Sequence, residues 1–201
     1  MPTLMEIVDR LLCIVRLDRN SRYERYFRHL ADQAQLTRER LESFTDEFEF
    51  KHAVIEYVDC TIRSVYDRQD SAIVHMSPGI RAVYYAWHVQ AQVDNGGVHQ
   101  YFFNKGVEHA FEAIEGYKLL GATKHAAFMA HAIDLYRAEE SHQREFCGGN
   151  VLTMIEDYSE SRKRSQLPSL DEQFPNSDED VFGLALLYMK THIDEFITTD
   201  R

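Results

Sequence analysis

The chain has 201 residues, 44% hydrophobic and 27% charged, with a formal net charge of −11. That length suits one domain with a full core. The acid excess repels nucleic acid and anionic lipid and attracts a basic partner.

Nine glycines and four prolines, about half of average usage, leave few turns and favour long helices over many short strands. The charge is uneven. Residues 1–40 carry eight Arg against six Asp or Glu, and residues 101–201 carry ten Lys or Arg against eighteen acids. Three cysteines, Cys13, Cys60 and Cys147, lack metal spacing and fit a reducing cytoplasm. Cys13 and Cys60 sit at apolar helical positions and are expected as buried thiols. Glu6, Asp9 and Arg10 interrupt the start of the chain, which does not read as a signal peptide. The apolar runs Leu11–Val15 and Gly183–Met189 fall short of the roughly 20 residues that span a bilayer.

In chain order, Leu4, Ile7, Val8, Leu11, Leu12 and Val15 predict an amphipathic helix over 3–16. A helix over 21–33 follows, with Tyr23, Tyr26, Phe27 and Leu30 on one face and Arg22, Arg25 and Arg28 on a solvated one. Thr45-Asp46 opens a long helix to about Asp67, and Gln69-Asp70-Ser71 reads as a turn. Ser77-Pro78 is a strong helix start, Ser as N-cap and Pro as first helical residue. That helix breaks at Asn95-Gly96-Gly97. Each glycine costs about 1 kcal/mol in a helix interior, so an adjacent pair marks a backbone that needs positive φ or close approach.

A short helix over 98–104 precedes a stop at Asn104-Lys105-Gly106. Residues 107–120 form the next helix, with Gly121 at the C′ position. An Ala-rich helix over 123–137 suggests close packing. Gly148-Gly149 is a further break before a helix over 150–161. Residues 159–177 read as a linker-like region with a short Leu170–Phe174 element, and with Arg162-Lys163-Arg164 solvated within it. Ser177 to Asp180 opens the last helix, with Phe182, Leu186, Met189, Ile193, Phe196 and Ile197 as its buried stripe.

The break has a structural reading. Asn95 takes a left-handed conformation or caps the short helix, Gln100 and Asn104 satisfy loop backbone, and Tyr101 and Phe102 anchor the turn in the core. A small polar pocket at the break is the functional alternative. His88 and His99 flank the break and are expected to approach each other for structural hydrogen bonding. There is no phosphate-binding glycine loop, GxSxG elbow or HExxH, so hydrolase and nucleotide readings have no support. Two Glu-x-x-His spacings, Glu49–His52 and Glu139–His142, match those of ferritin-like di-iron bundles, with Glu24 and Glu108 or Glu112 as further carboxylates. Both lie near predicted helix ends, whereas di-iron ligands project from mid-bundle. A metal-binding bundle is therefore an alternative only, and no cofactor is expected.

The run Asn95-Gly96-Gly97-x-x-Gln100-Tyr101-Phe102-Phe103-Asn104 resembles the signature of the DNA-mimic protein family, a bacterial group. Ala113-Ile114, Leu120-Gly121-Ala122, Leu170-Asp171-Glu172-Gln173-Phe174 and the closing Tyr188–Phe196 segment are similar to its other elements, so the resemblance covers about 75–198. It implies an all-helical domain. It also implies, for part of the family, an acidic protein that imitates DNA phosphates and occupies the DNA site of a basic regulator.

The expectation is an all-α domain of eight to ten helices with a glycine-broken central helix, 1–44 being an extension packed on a 45–201 core. The expected function is non-enzymatic, cytoplasmic binding of a basic DNA-binding protein, with a homodimer as a further expected partner arrangement. No direct nucleic-acid or membrane contact is expected. The candidate acidic surface is Glu139, Glu140, Glu156, Asp157, Asp171, Glu172, Asp178, Glu179, Asp180, Asp194 and Glu195.

Overall fold

The computed structural model describes residues 22–64, 69–146, 154–175 and 179–198. The expected helix over 3–16, Cys13, Cys147, Gly148-Gly149 and Asp178 lie outside them. Among the described residues the chain is all-α: α1 (22–33), α2 (Arg38–Ser43), α3 (Glu47–Arg63), α4 (Gln69–Val74), α5 (Pro78–Leu120), α6 (Thr123–Ala138), α7 (Glu140–Phe146), α8 (Met154–Arg164) and α9 (Val181–Thr191). Two 3-10 turns, Leu167–Gln173 and Ile193–Glu195, complete it. No described helix is long and apolar enough to cross a membrane.

Helix α5 is three helical segments, α5a (78–95), α5b (98–105) and α5c (107–120). Gly97 (φ 83°, ψ 178°) and Gly106 (φ 76°, ψ 176°) separate them. Both glycines occupy a backbone region that side chains exclude. A straight helix of this length would run about 65 Å; the two breaks fold it back on itself. Ala82 lies against Gly116, while Tyr85 and His88 meet His109. Later residues of α5a thus face earlier residues of α5c, and the two segments pair antiparallel with α5b at the tip. A Cβ on Gly116 would stand 2.9 Å from Ala82 Cα, so glycine is what permits this crossing.

The other helices close over the hairpin. Helix α3 turns Phe50, Ala53, Val54 and Val58 inward, and α6 turns Met129, Ala132, Ile133 and Tyr136 inward. Tyr101 and Phe102 of the tip are fully buried as expected, and Phe102 stacks on Tyr136 at 4.9 Å. Burying one such side chain contributes about 1.5–3 kcal/mol. Leu36 and Leu41 belong to the same core. Leu36 N–H donates to Thr198 Oγ1 at 2.8 Å, and Thr198 N–H returns a bond to Leu36 O at 3.1 Å, so the two ends of the described chain are clasped together.

Three boundaries differ from expectation. Gln69–Val74 is helical rather than a turn. The helix from Thr123 ends at Ala138, as expected, and Glu139 makes a corner into α7. Residues 159–175 are more ordered than a linker: α8 continues to Arg164, and the expected short element is a 3-10 turn that starts earlier, at Leu167, and buries Leu167 and Leu170. Its apolar residues are spaced too sparsely to register as periodic. Helix α9 stops at Thr191, and the Ile193–Glu195 turn carries Phe196 into the core against Phe50 at 5.5 Å. Cys60, expected as a buried thiol, is half-buried.

Candidate functional site

The break is held by groups from α8 and the turn after it. Helix α5b begins at Val98, and the first N–H groups of a helix have no partner within it. Asp171 Oδ1 accepts from Val98 N–H at 2.8 Å. A carboxylate there also meets the positive end of the helix dipole. Arg162 completes the clamp: its guanidinium donates to Gly96 O at 2.9 Å and to Asp171 Oδ2 at 3.2 Å. Tyr158 OH donates to the same Gly96 carbonyl at 3.3 Å. Arg162 is therefore not a solvated residue of a basic cluster. Its neighbours Lys163 and Arg164 pair with Glu160 and Glu145.

Three expectations about the break are corrected. Among the described residues none other than glycine has positive φ, and Asn95 is exposed, so the left-handed role falls to Gly97 and the capping role to Asp171. Gln100 and Asn104 do not bond loop backbone; both donate to Gln92 Oε1 on α5a, at 3.2 and 2.6 Å. His88 and His99 diverge: His99 is buried against Ser161 Oγ at 2.9 Å, whereas His88 packs on His109. Burial, reinforced by the Arg162 charge, lowers the His99 pKa to about 4. The space beside Gly97 is filled by the Asp171 carboxylate.

The same device recurs at two other helix starts. Glu179 accepts from Lys124 N–H at 3.1 Å and His125 N–H at 2.9 Å at the start of α6. It also bonds His125 Nδ1 at 2.7 Å. Burial lowers the His125 pKa, so this contact is a hydrogen bond from a neutral ring. Glu195 accepts from Gly79 N–H at 3.0 Å at the start of α5a and from Tyr188 OH at 2.9 Å, and its backbone carbonyl accepts from Ser77 Oγ. Asp180 caps its own helix through Gly183 N–H at 2.8 Å. Buried Glu139 accepts from Gln166 N–H at 2.9 Å, Gln143 Nε2 at 3.1 Å and the Ser165 hydroxyl.

Of the eleven acids singled out from the sequence, Glu139, Asp171, Glu179, Asp180 and Glu195 are thus engaged in holding the fold. Asp194 pairs with Arg38. Glu140 and Asp157 are half-buried with partners of their own, and Glu156 and Glu172 are exposed. The two Glu-x-x-His spacings do not converge: Glu49 and His52 are exposed on α3, and Glu139 is committed to Gln166, Gln143 and Ser165. Among the described residues no group of three or more His, Cys, Asp or Glu is placed to hold a metal ion.

The densest run of exposed carboxylates lies elsewhere, at the corner between α2 and α3. Glu39, Glu42, Asp46, Glu47 and Glu49 are all exposed. The two arginines of the corner face away from them in part. Arg38 reaches Asp194 as well as Glu42, and Arg40 folds back on the carbonyls of Ala34 and Gln35. Phe48, between Glu47 and Glu49 in the chain, stands 59% exposed, with Lys51 Nζ 5.1 Å from its ring centre. The basic total over residues 1–40 obscured this corner, because the acids begin where that window ends.

A family model described as DMP19-like protein matches residues 75–192, the span from just before α5 through α9. No curated protein and no solved structure matches the chain.

Proposed function

The chain belongs to the DMP19-like protein family, and from that premise we propose that it is a non-catalytic binding protein that offers carboxylates, in place of DNA phosphates, to the DNA-binding face of a basic regulator. The resemblance of Asn95–Asn104 to the signature of DNA-mimic proteins supports the same reading. The net charge of −11 supplies the long-range attraction. The observation that carries the proposal is the α2–α3 corner: five exposed carboxylates within eleven residues, a stretch that also carries the exposed Phe48 ring. Charges so arranged steer a cationic partner, and an aromatic among them supplies the apolar anchor typical of protein interfaces. The corner lies outside the span matched to the family.

The test is a pull-down from lysate followed by displacement. A captured DNA-binding protein should be released by double-stranded DNA, and capture should weaken steeply between about 50 and 200 mM salt, as contacts made through many charges do. The triple variant Glu42→Lys, Glu47→Lys, Glu49→Lys should lose capture while keeping its helical circular dichroism. Asp46 is left intact because it caps α3 through Glu49 N–H. Capture that neither DNA nor salt disturbs would refute the proposal.

A further inference from the structure

A cavity of about 390 Å³ opens between the α5 hairpin and the α3–α4 pair. Its walls divide by chemistry. Tyr84 and Tyr85 of α5a face Ile62 of α3 and Ile73 of α4, giving an apolar and aromatic slot. Lys105, the last residue before the Gly106 break, and His109 close one end. Glu112 lines the cavity too, but its carboxylate is bonded to Arg81.

The basic end is short of partners. Among the described residues Lys105 has no hydrogen bond or ion pair. Buried His109 Nε2 has none either, and nor does Nε2 of His88, whose ring packs against that of His109 at 5.5 Å. His109 Nδ1 is held by Tyr101 OH at 2.9 Å, which fixes the ring. Burial, followed by the neighbouring positive groups, lowers the pKa of His109 to about 3 and that of His88 to about 4. Burial also lowers the pKa of Lys105, and Asp59 offsets part of that effect from α3. Half-buried polar groups left this way are costly unless something bonds them. An anion entering the cavity would supply that partner to Lys105.

We propose that this cavity binds a small organic monoanion, its acidic group on Lys105 and its aromatic or branched apolar body between Tyr84–Tyr85 and Ile62–Ile73. A single unpaired cation suits a single negative charge, and Glu112 disfavours a second one at the far end. Pockets of this kind, mostly apolar with a few convergent polar groups, are the usual form of small-molecule sites.

The test is a ligand-observed NMR titration of the full chain with phenylacetate and with phenylacetamide, its neutral counterpart. The carboxylate should bind at least tenfold more tightly than the amide. Lys105→Met, with Lys105→Gln as a second neutral variant in case the first does not fold, should bring the two affinities together. Lys105→Arg should preserve the preference, and Asp59→Asn should widen it by removing a negative charge that repels an anion near Lys105. Equal binding of acid and amide by the unaltered chain, a preference that survives removal of the lysine charge, or binding of neither ligand would overturn the proposal.

Discussion

Adjacent glycines in the break should respond very differently to the same substitution. Gly97→Ala places a side chain on φ 83°, ψ 178°, which costs about 1–3 kcal/mol for a residue other than glycine. Its Cβ would also stand 2.7 Å from the Asp171 carboxyl carbon. The carboxylate must move, and the bond from Val98 N–H is lost with it. A hydrogen bond to a charged group contributes about 1.5–3 kcal/mol. The sum is about 2.5–6 kcal/mol, a large part of the roughly 5–15 kcal/mol that holds a domain folded. At Gly96, φ is −163°, outside the left-handed region, and the new Cβ meets Gln100, most closely at its flexible amide end and at 3.2 Å from the Gln100 Cβ. Gly96→Ala should therefore cost under about 1 kcal/mol, with the reduced freedom of the unfolded chain offsetting part of it. Urea unfolding followed by far-ultraviolet circular dichroism measures both. The mechanism also requires sub-additivity. Once Gly97→Ala has displaced the carboxylate, adding Asp171→Ala should cost little more, although Asp171→Ala alone should be clearly destabilising. Equal losses at the two glycines, or fully additive losses for Gly97→Ala and Asp171→Ala, would refute this reasoning.

Two further outcomes follow from buried polar groups. Glu139→Ala removes the acceptor of Gln166 N–H, Gln143 Nε2 and the Ser165 hydroxyl and should cost about 2–4 kcal/mol in thermal or urea unfolding, whereas exposed Glu156→Ala should stay within about 0.5 kcal/mol. Acidification should destabilise the fold through His99. Its folded pKa is about 4 against about 6.5 unfolded, so between those values the unfolded chain binds the extra proton and stability falls as pH drops. The loss from pH 7 to 5 is about 2 kcal/mol for this ring; His99→Gln should flatten the pH profile of urea unfolding by that amount, and a profile unchanged by the substitution would remove His99 as its cause.

What the residues disclose depends on the range of the interaction. The helices, the Ser77-Pro78 start, the Gly121 stop and the breaks at Gly97 and Gly106 are legible because each rests on neighbours within about one turn. The burial of Tyr101 and Phe102 is legible for the same reason, an aromatic pair following a costly break. The caps at Val98, Lys124–His125 and Gly79 are not, because Asp171, Glu179 and Glu195 arrive from 54 to 116 positions away in the chain. Read locally, those acids look like solvated charge, and only packing shows that they face helix starts. Arg162 misleads in the same way, because its partners Gly96 and Asp171 meet only after folding. The corner at Glu39–Glu49 had no motif to single it out. Exposure distinguishes it, and exposure is a property of the fold.

The position of these caps has a consequence for how the molecule is built. Asp171, Glu179 and Glu195 all come from the last part of the described chain, and each bonds the N-terminus of a helix that precedes it: α5b, α6 and α5a. The C-terminal segment therefore locks the hairpin and the helix after it at their three starting points. The hairpin in turn creates the cavity, since Tyr84 and Tyr85 reach Lys105 and His109 only because Gly97 and Gly106 turn the chain back. Disturbing the Asp171–Val98 cap should therefore be felt at the cavity as well as at the break. The α2–α3 corner answers to different contacts, Leu36 with Thr198 and Arg38 with Asp194. Loss of phenylacetate binding without loss of partner capture is the combination expected of Asp171→Ala, and it separates the two surfaces in one variant.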